Sequence, residues 1–205
     1  MDLLLDELEQ YVRANIPPES AVWQHGDFIA STMLQWKGGY DDGRLGRWTS
    51  ADLAEYLLDC FPRKVSVDAG TLDAVPECVK AFLAFMQARG SLSGEPLEVL
   101  EQALDVLGEE FKTQAQDSSR WGLAKSMFMR MQTEGVDPSQ PGAIDAWMDD
   151  FNSRPREERD AIIGPAADRM ARAAGLGSAS ESRAPKQRAQ RRKAQRAARK
   201  RNRRG

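Results

Sequence analysis

The chain has 205 residues with 29 Lys+Arg and 31 Asp+Glu, a formal net charge of −2, and its length suits one domain or at most two small ones. Two cysteines, an acidic start (MDLLLDELEQ) and no long apolar run exclude a disulfide scaffold, a secretory signal and a bilayer span, so a cytoplasmic protein with reduced thiols is expected. The near-neutral total conceals a split: residues 1–182 carry 17 basic and 31 acidic side chains, a net of −14, whereas residues 183–205 carry 12 Lys+Arg and no acid.

In chain order the first 175 residues read as helix after helix. Residues 3–15 place Leu4, Leu5, Leu8, Tyr11 and Val12 on one face, and Pro17-Pro18 stops the run. Residues 27–36 predict a short helix, followed by the turn-rich KGGYDDGRLGR. Thr49 or Ser50 then caps a helix of about ten residues, with Asp52 placed for a capping box and Pro62 as its end. Its apolar set is Leu53, Ala54, Leu57, Leu58 and Phe61. Residues 72–89 carry Val75, Val79, Phe82, Leu83 and Met86 at helical spacing before Gly90, and Pro76 inside the pattern allows the helix to begin there.

The clearest periodicity is at 96–115, where Leu97, Leu100, Leu104, Leu107 and Phe111 repeat behind Pro96. Residues 119–133 follow, capped by Asp117 or Ser118 and closed by Gly135, with Trp121, Ala124, Met127, Phe128 and Met131 inward. A short helix at 141–152 turns Ile144, Trp147, Met148 and Phe151 inward, and a last one from Pro155 includes Ile162, Ile163 and Met170, kinked or divided at Gly164-Pro165. VSV at 65–67 is the one candidate strand and is too short to stand alone. The expected fold is therefore all-α, an irregular multi-helix bundle with antiparallel neighbours.

Composition changes near residue 176. GLGSASES is a small-residue linker, and RAPKQRAQRRKAQRAARKRNRRG has no large apolar side chain, so 176–205 is expected to be a flexible linker and disordered tail. Its cations are Arg183, Lys186, Arg188, Arg191, Arg192, Lys193, Arg196, Arg199, Lys200, Arg201, Arg203 and Arg204. Together they suit about 6–10 phosphates of RNA or DNA, contacted without sequence readout. Nine are arginine, which favours bidentate phosphate contacts. The competing uses of such a tail are solubility, non-specific attraction, or docking on acidic faces such as Glu98, Glu101, Asp105 and Glu109. No apolar anchor accompanies the charge, which argues against a membrane partner.

Catalytic and metal chemistry finds no motif. His25 is the single histidine and VWQHGDF offers it no orienting partner; Cys60, Cys78 and His25 lack zinc-site spacing. The adjacent acids at 41–42, 109–110, 149–150 and 157–158 point apart on a helix, and Asp41-Asp42-Gly43 lacks calcium-loop spacing. No glycine-rich phosphate loop is present, so no cofactor is expected. Arg63 and Lys64 suit a helix C-terminus. Most tryptophans and methionines fall in core-like stripes, with Met129 supernumerary in Met127-Phe128-Met129 and available to a partner groove.

The stretches WTSADLAEYLLDCFPRKVS, LDAVPECVKAFLAFMQARGSLSG and SSRWGLAKSMFMRMQTEGVDPSQPGAIDAWMDDFNSRPREERDAIIG resemble an uncharacterised actinobacterial family of all-helical proteins, over most of residues 1–170. The resemblance implies no particular activity and no site residues, and with the Ala-, Gly-, Arg- and Asp-rich composition it implies a bacterial source rather than nuclear targeting. The expectation is a non-enzymatic interaction protein, its body bound to an unknown protein partner and its tail to RNA or DNA. The alternatives are an enzyme whose site assembles only in the tertiary fold, recognisable by a cavity with converging, shifted titratable groups, and a regulator with its tail docked on its own body.

Overall fold

The computed structural model describes residues 2–173, with side chains except those of Pro165 and residues 167–173. The expected linker and tail lie outside the described residues. The described chain is all-α apart from one two-residue strand pair, and it forms an irregular bundle.

Helix α1 (Asp2–Asn15) buries Leu8 and Val12. Helix α2 runs Val22–Gly39, well beyond the expected 27–36, because Val22, Ile29, Met33 and Trp36 continue one buried face through both ends. Helices α3 (Ser50–Glu55) and α4 (Phe61–Lys64) flank a π turn at Tyr56–Cys60 and form one rod. The capping box is present: Thr49 accepts from the Asp52 N–H, and Asp52 from that of Thr49. Pro62 does not end the rod. It removes the N–H that an α-helix would send to the Leu58 carbonyl, the chain widens to the π turn just before it, and Nη2 of Arg120 donates to that carbonyl at 2.7 Å.

Helix α5 (Ala69–Ala88) starts before Pro76, which sits inside it, because Asp68 caps it by accepting from the Thr71 N–H. Gly90, at φ 70°, ends it. Helix α6 (Leu97–Gln116) turns Leu100, Leu104 and Phe111 inward. The VSV segment forms no strand. The parallel pair is instead β1 (Arg47–Trp48) with β2 (Ser93–Gly94), in register Arg47 to Ser93 and Trp48 to Gly94. A Cβ on Gly94 would stand 2.4 Å from the Trp48 carbonyl oxygen, so only glycine permits this crossing.

A short 3-10 turn (Ser118–Arg120), capped by Asp117, precedes α7 (Leu123–Thr133). Ala124, expected inward, is exposed, and Lys125 takes the buried position. Helix α8 (Ala143–Ser153) buries Trp147 and Phe151 but leaves Ile144 45% exposed, since its first turn overhangs the cluster. Helix α9 (Arg156–Ala173) passes through Gly164-Pro165 undivided.

Two apolar clusters result. The larger gathers α1–α6 around α5 and is threaded by aromatic contacts: Trp36 to Tyr56, Tyr56 to Phe61 and Phe61 to Phe111 at centroid distances of 5.8, 5.9 and 5.2 Å. The smaller joins α7, α8 and α9 through Met131, Trp147 and Phe151. At its edge Glu134 accepts both guanidinium nitrogens of Arg154, each at 2.8 Å, and the indole N–H of Trp147 at 2.6 Å. These donors, Arg154 foremost, hold its carboxyl far below the usual range.

The turn after α2 is fixed by a fully buried lysine. The Lys37 ammonium meets Asp41, Asp52 at 3.0 Å and Asp42 at 3.3 Å, with the Trp48 ring centroid at 5.3 Å. Burial opposes its charge; hydrogen bonds to Asp41 and Asp52 outweigh burial and hold it above 10.5. The Asp41-Asp42 turn therefore does touch a cation, one supplied by its own chain. Replacing Lys37 with Met leaves three carboxylates converging without their cation and should cost about 3 kcal/mol in denaturant unfolding at pH 7. Because the lysine value is raised, its contribution is complete at neutral pH and fades only above its ordinary 10.5.

Candidate functional site

None of the twelve tail cations named as nucleic-acid contacts falls within the described residues. Of the acidic residues named as a docking face, Glu98, Asp105 and Glu109 are exposed on α6 and Glu101 is half-buried. Asp105 already receives Lys80 Nζ at 2.5 Å. Both cysteines are free and buried, and burial pushes the Cys78 thiol up to about 12, where it is inert. His25 lies 3.3 Å from Thr71 Oγ1 through Nδ1, and Thr71 in turn donates to Asp68, so the histidine joins a helix cap. Among the described residues no group of three or more His, Cys, Asp or Glu could hold a metal ion, and no helix is long and apolar enough to cross a membrane.

The candidate site of the body lies where the two clusters meet. The segment 117–122 crosses the end of α4. Arg120 donates to the Leu58 carbonyl, the Gly122 N–H donates to the Arg63 carbonyl at 2.9 Å, and the Trp121 indole donates to the Ala115 carbonyl at 3.1 Å. A Cβ at 122 would meet the Arg63 oxygen at 2.6 Å, which explains glycine at that position. So anchored, α7 starts against the larger cluster; Trp121, in the extended segment before it, and Lys125 and Met129, one helical turn apart on it, line a cavity of about 180 Å³. Phe61, Val67, Leu72 and Ala115 also line it, as do Gln116 and Asp68, the latter with both oxygens turned to Thr71.

Lys125 is 7% exposed and has no acidic or hydrogen-bonding partner among the described residues; its ammonium faces the Trp121 ring at 5.4 Å. Burial alone lowers its pKa to about 8. A second cavity, about 460 Å³, opens between α7 and α9 and shares Trp121 and Met129 with the first; Arg130, Arg154 and Ser126 line it. Met129, singled out as a side chain to spare, thus stands between two hollows.

Lys125 went unnoticed in the sequence because lysine reads as a solvated position. The available signal was its place midway between Trp121 and Met129 in an i, i+4, i+8 series. No protein-family model, curated protein or solved structure matches this chain.

A base whose pKa is depressed on folding weakens the fold while charged. The penalty is complete below about 8 and vanishes as pH rises toward 10.5. Lys125→Met should therefore stabilise the protein by about 1–2 kcal/mol at pH 7. Its advantage over the wild type should disappear in unfolding curves taken toward pH 10.5.

Proposed function

We propose that this chain is a non-enzymatic interaction protein of the bacterial cytoplasm, its acidic helical body engaging a protein partner while its arginine-rich segment holds it on RNA or DNA. The charge partition carries this reading: −14 over residues 1–182 against +12 over residues 183–205. A polyanion draws the basic segment and repels the body, so binding is confined to one end of the chain. Ion pairing within the body supports the same division. Lys37, Lys80, Lys112, Arg130 and Arg154 each face a carboxylate of the body. Exposed apolar side chains such as Val99 and Val106, two turns apart on one face of α6, give a protein partner something to cover.

Gel-shift titrations on RNA and DNA, comparing the full chain with one ending at Gly177, test the proposal. The full chain should bind both, with affinity falling roughly 10³–10⁵-fold between about 50 and 200 mM salt. The shortened chain should not bind. Equal binding by both removes the basic segment from the function.

A further inference from the structure

The cavity at the start of α7 combines features that structural packing alone does not call for. Its walls are mainly apolar, with Phe61, Val67, Leu72, Trp121 and Met129, and the polar side chains of Asp68 and Gln116 also line it. Its one cation, Lys125, is more than nine-tenths buried and lacks a counter-charge among the described residues. A buried ammonium without an anion is destabilising, and a hydrophobic residue of similar length would fill the space at lower cost. Lys37 shows how this same chain treats a buried ammonium that serves only the fold, with carboxylates from three residues. A residue that breaks a local rule without a compensating partner in the fold marks a place where something else supplies one.

The chemistry of the missing partner follows from the walls. It must bring one negative charge, since the ionised Asp68 in the lining repels a second. Phosphate and sulfate suit the cavity poorly, because beyond Lys125 and the Gln116 amide its walls offer their oxygens few donors. A carboxylate on an apolar group answers both demands, pairing with the ammonium and covering the aromatic and aliphatic walls. The start of α7 adds to this. Gly122 gives no side-chain cap, and the positive end of the helix lies beside Lys125.

We propose that the cavity bounded by Phe61, Leu72, Trp121, Lys125 and Met129 is a binding site for a small apolar monocarboxylate, with the Lys125 ammonium as its charge partner. None of these five residues belongs to the basic segment, and the assignment does not rest on the proposed nucleic-acid contact. Occupancy ties α7 to α4 and α5, so the ligand also strengthens the junction between the two clusters.

Calorimetric titration of the full-length protein at pH 7 with benzoate and with hexanoate tests this, with benzyl alcohol as the uncharged control. At least one carboxylate should bind saturably and benzyl alcohol should not. Lys125→Met should weaken binding more than about tenfold, while Lys112→Met, which removes a half-buried lysine paired with Asp73 outside the cavity, should leave it unchanged. In the wild type, NMR titration of the Lys125 side chain should move upward from about 8 when the ligand is bound. That measurement stands even if a variant misfolds. Absence of saturable binding by either carboxylate, equal binding of benzyl alcohol, equal affinity in Lys125→Met, or an unmoved Lys125 titration would each overturn the proposal.

Discussion

A single backbone hydrogen bond, from the Gly122 N–H to the Arg63 carbonyl, sets where the second half of the body attaches to the first. Its geometry leaves no room for a side chain at 122. Beside it, the Arg120 guanidinium occupies the carbonyl that Pro62 orphans, so the helix defect and the strap that crosses it are complementary. Without these bonds α7 would have no fixed start against α4. The cavity that depends on Trp121 and Lys125 would then lack one of its walls.

The two buried lysines define opposite uses of burial. Lys37 is surrounded by aspartates and tryptophan rings, and its charge ties the turn after α2 to the capped start of α3. Lys125 shares a mainly apolar cavity with Asp68 and Gln116 but pairs with neither, and burial acts on it unopposed. The first lysine strengthens the fold; the second weakens it and leaves an ammonium facing a cavity. Beyond both lies the separation of charge along the chain, −14 over residues 1–182 against +12 over residues 183–205, on which the proposed function rests.

Local features were legible in the sequence. The Thr49–Asp52 capping box spans four residues, and the α6 stripe of Leu100, Leu104 and Phe111 repeats without interruption, so spacing alone identified both. Prolines misled, because Pro62 and Pro76 read as boundaries while the tertiary structure accommodates both inside helices. The strand pair was invisible: two residues carry no period, and Trp48 meets Gly94 only after α3, α4 and α5 have intervened. Lys37 and Lys125 escaped for another reason. Periodicity assigns burial by residue type, and a lysine is placed inward only by partners far away in sequence or by a cavity that no local pattern encodes.

The strap at 117–122 is therefore the point on which the second cluster, the cavity and the buried Lys125 together depend. NMR titration of the Lys125 side chain in Gly122→Ala measures that dependence directly. Once the bond to Arg63 is broken, the lysine should rise from about 8 toward its ordinary 10.5 while amides of α5 and α6 stay protected from exchange. A lysine that still titrates near 8 in that variant would show that the cavity forms without the strap, and would contradict the account.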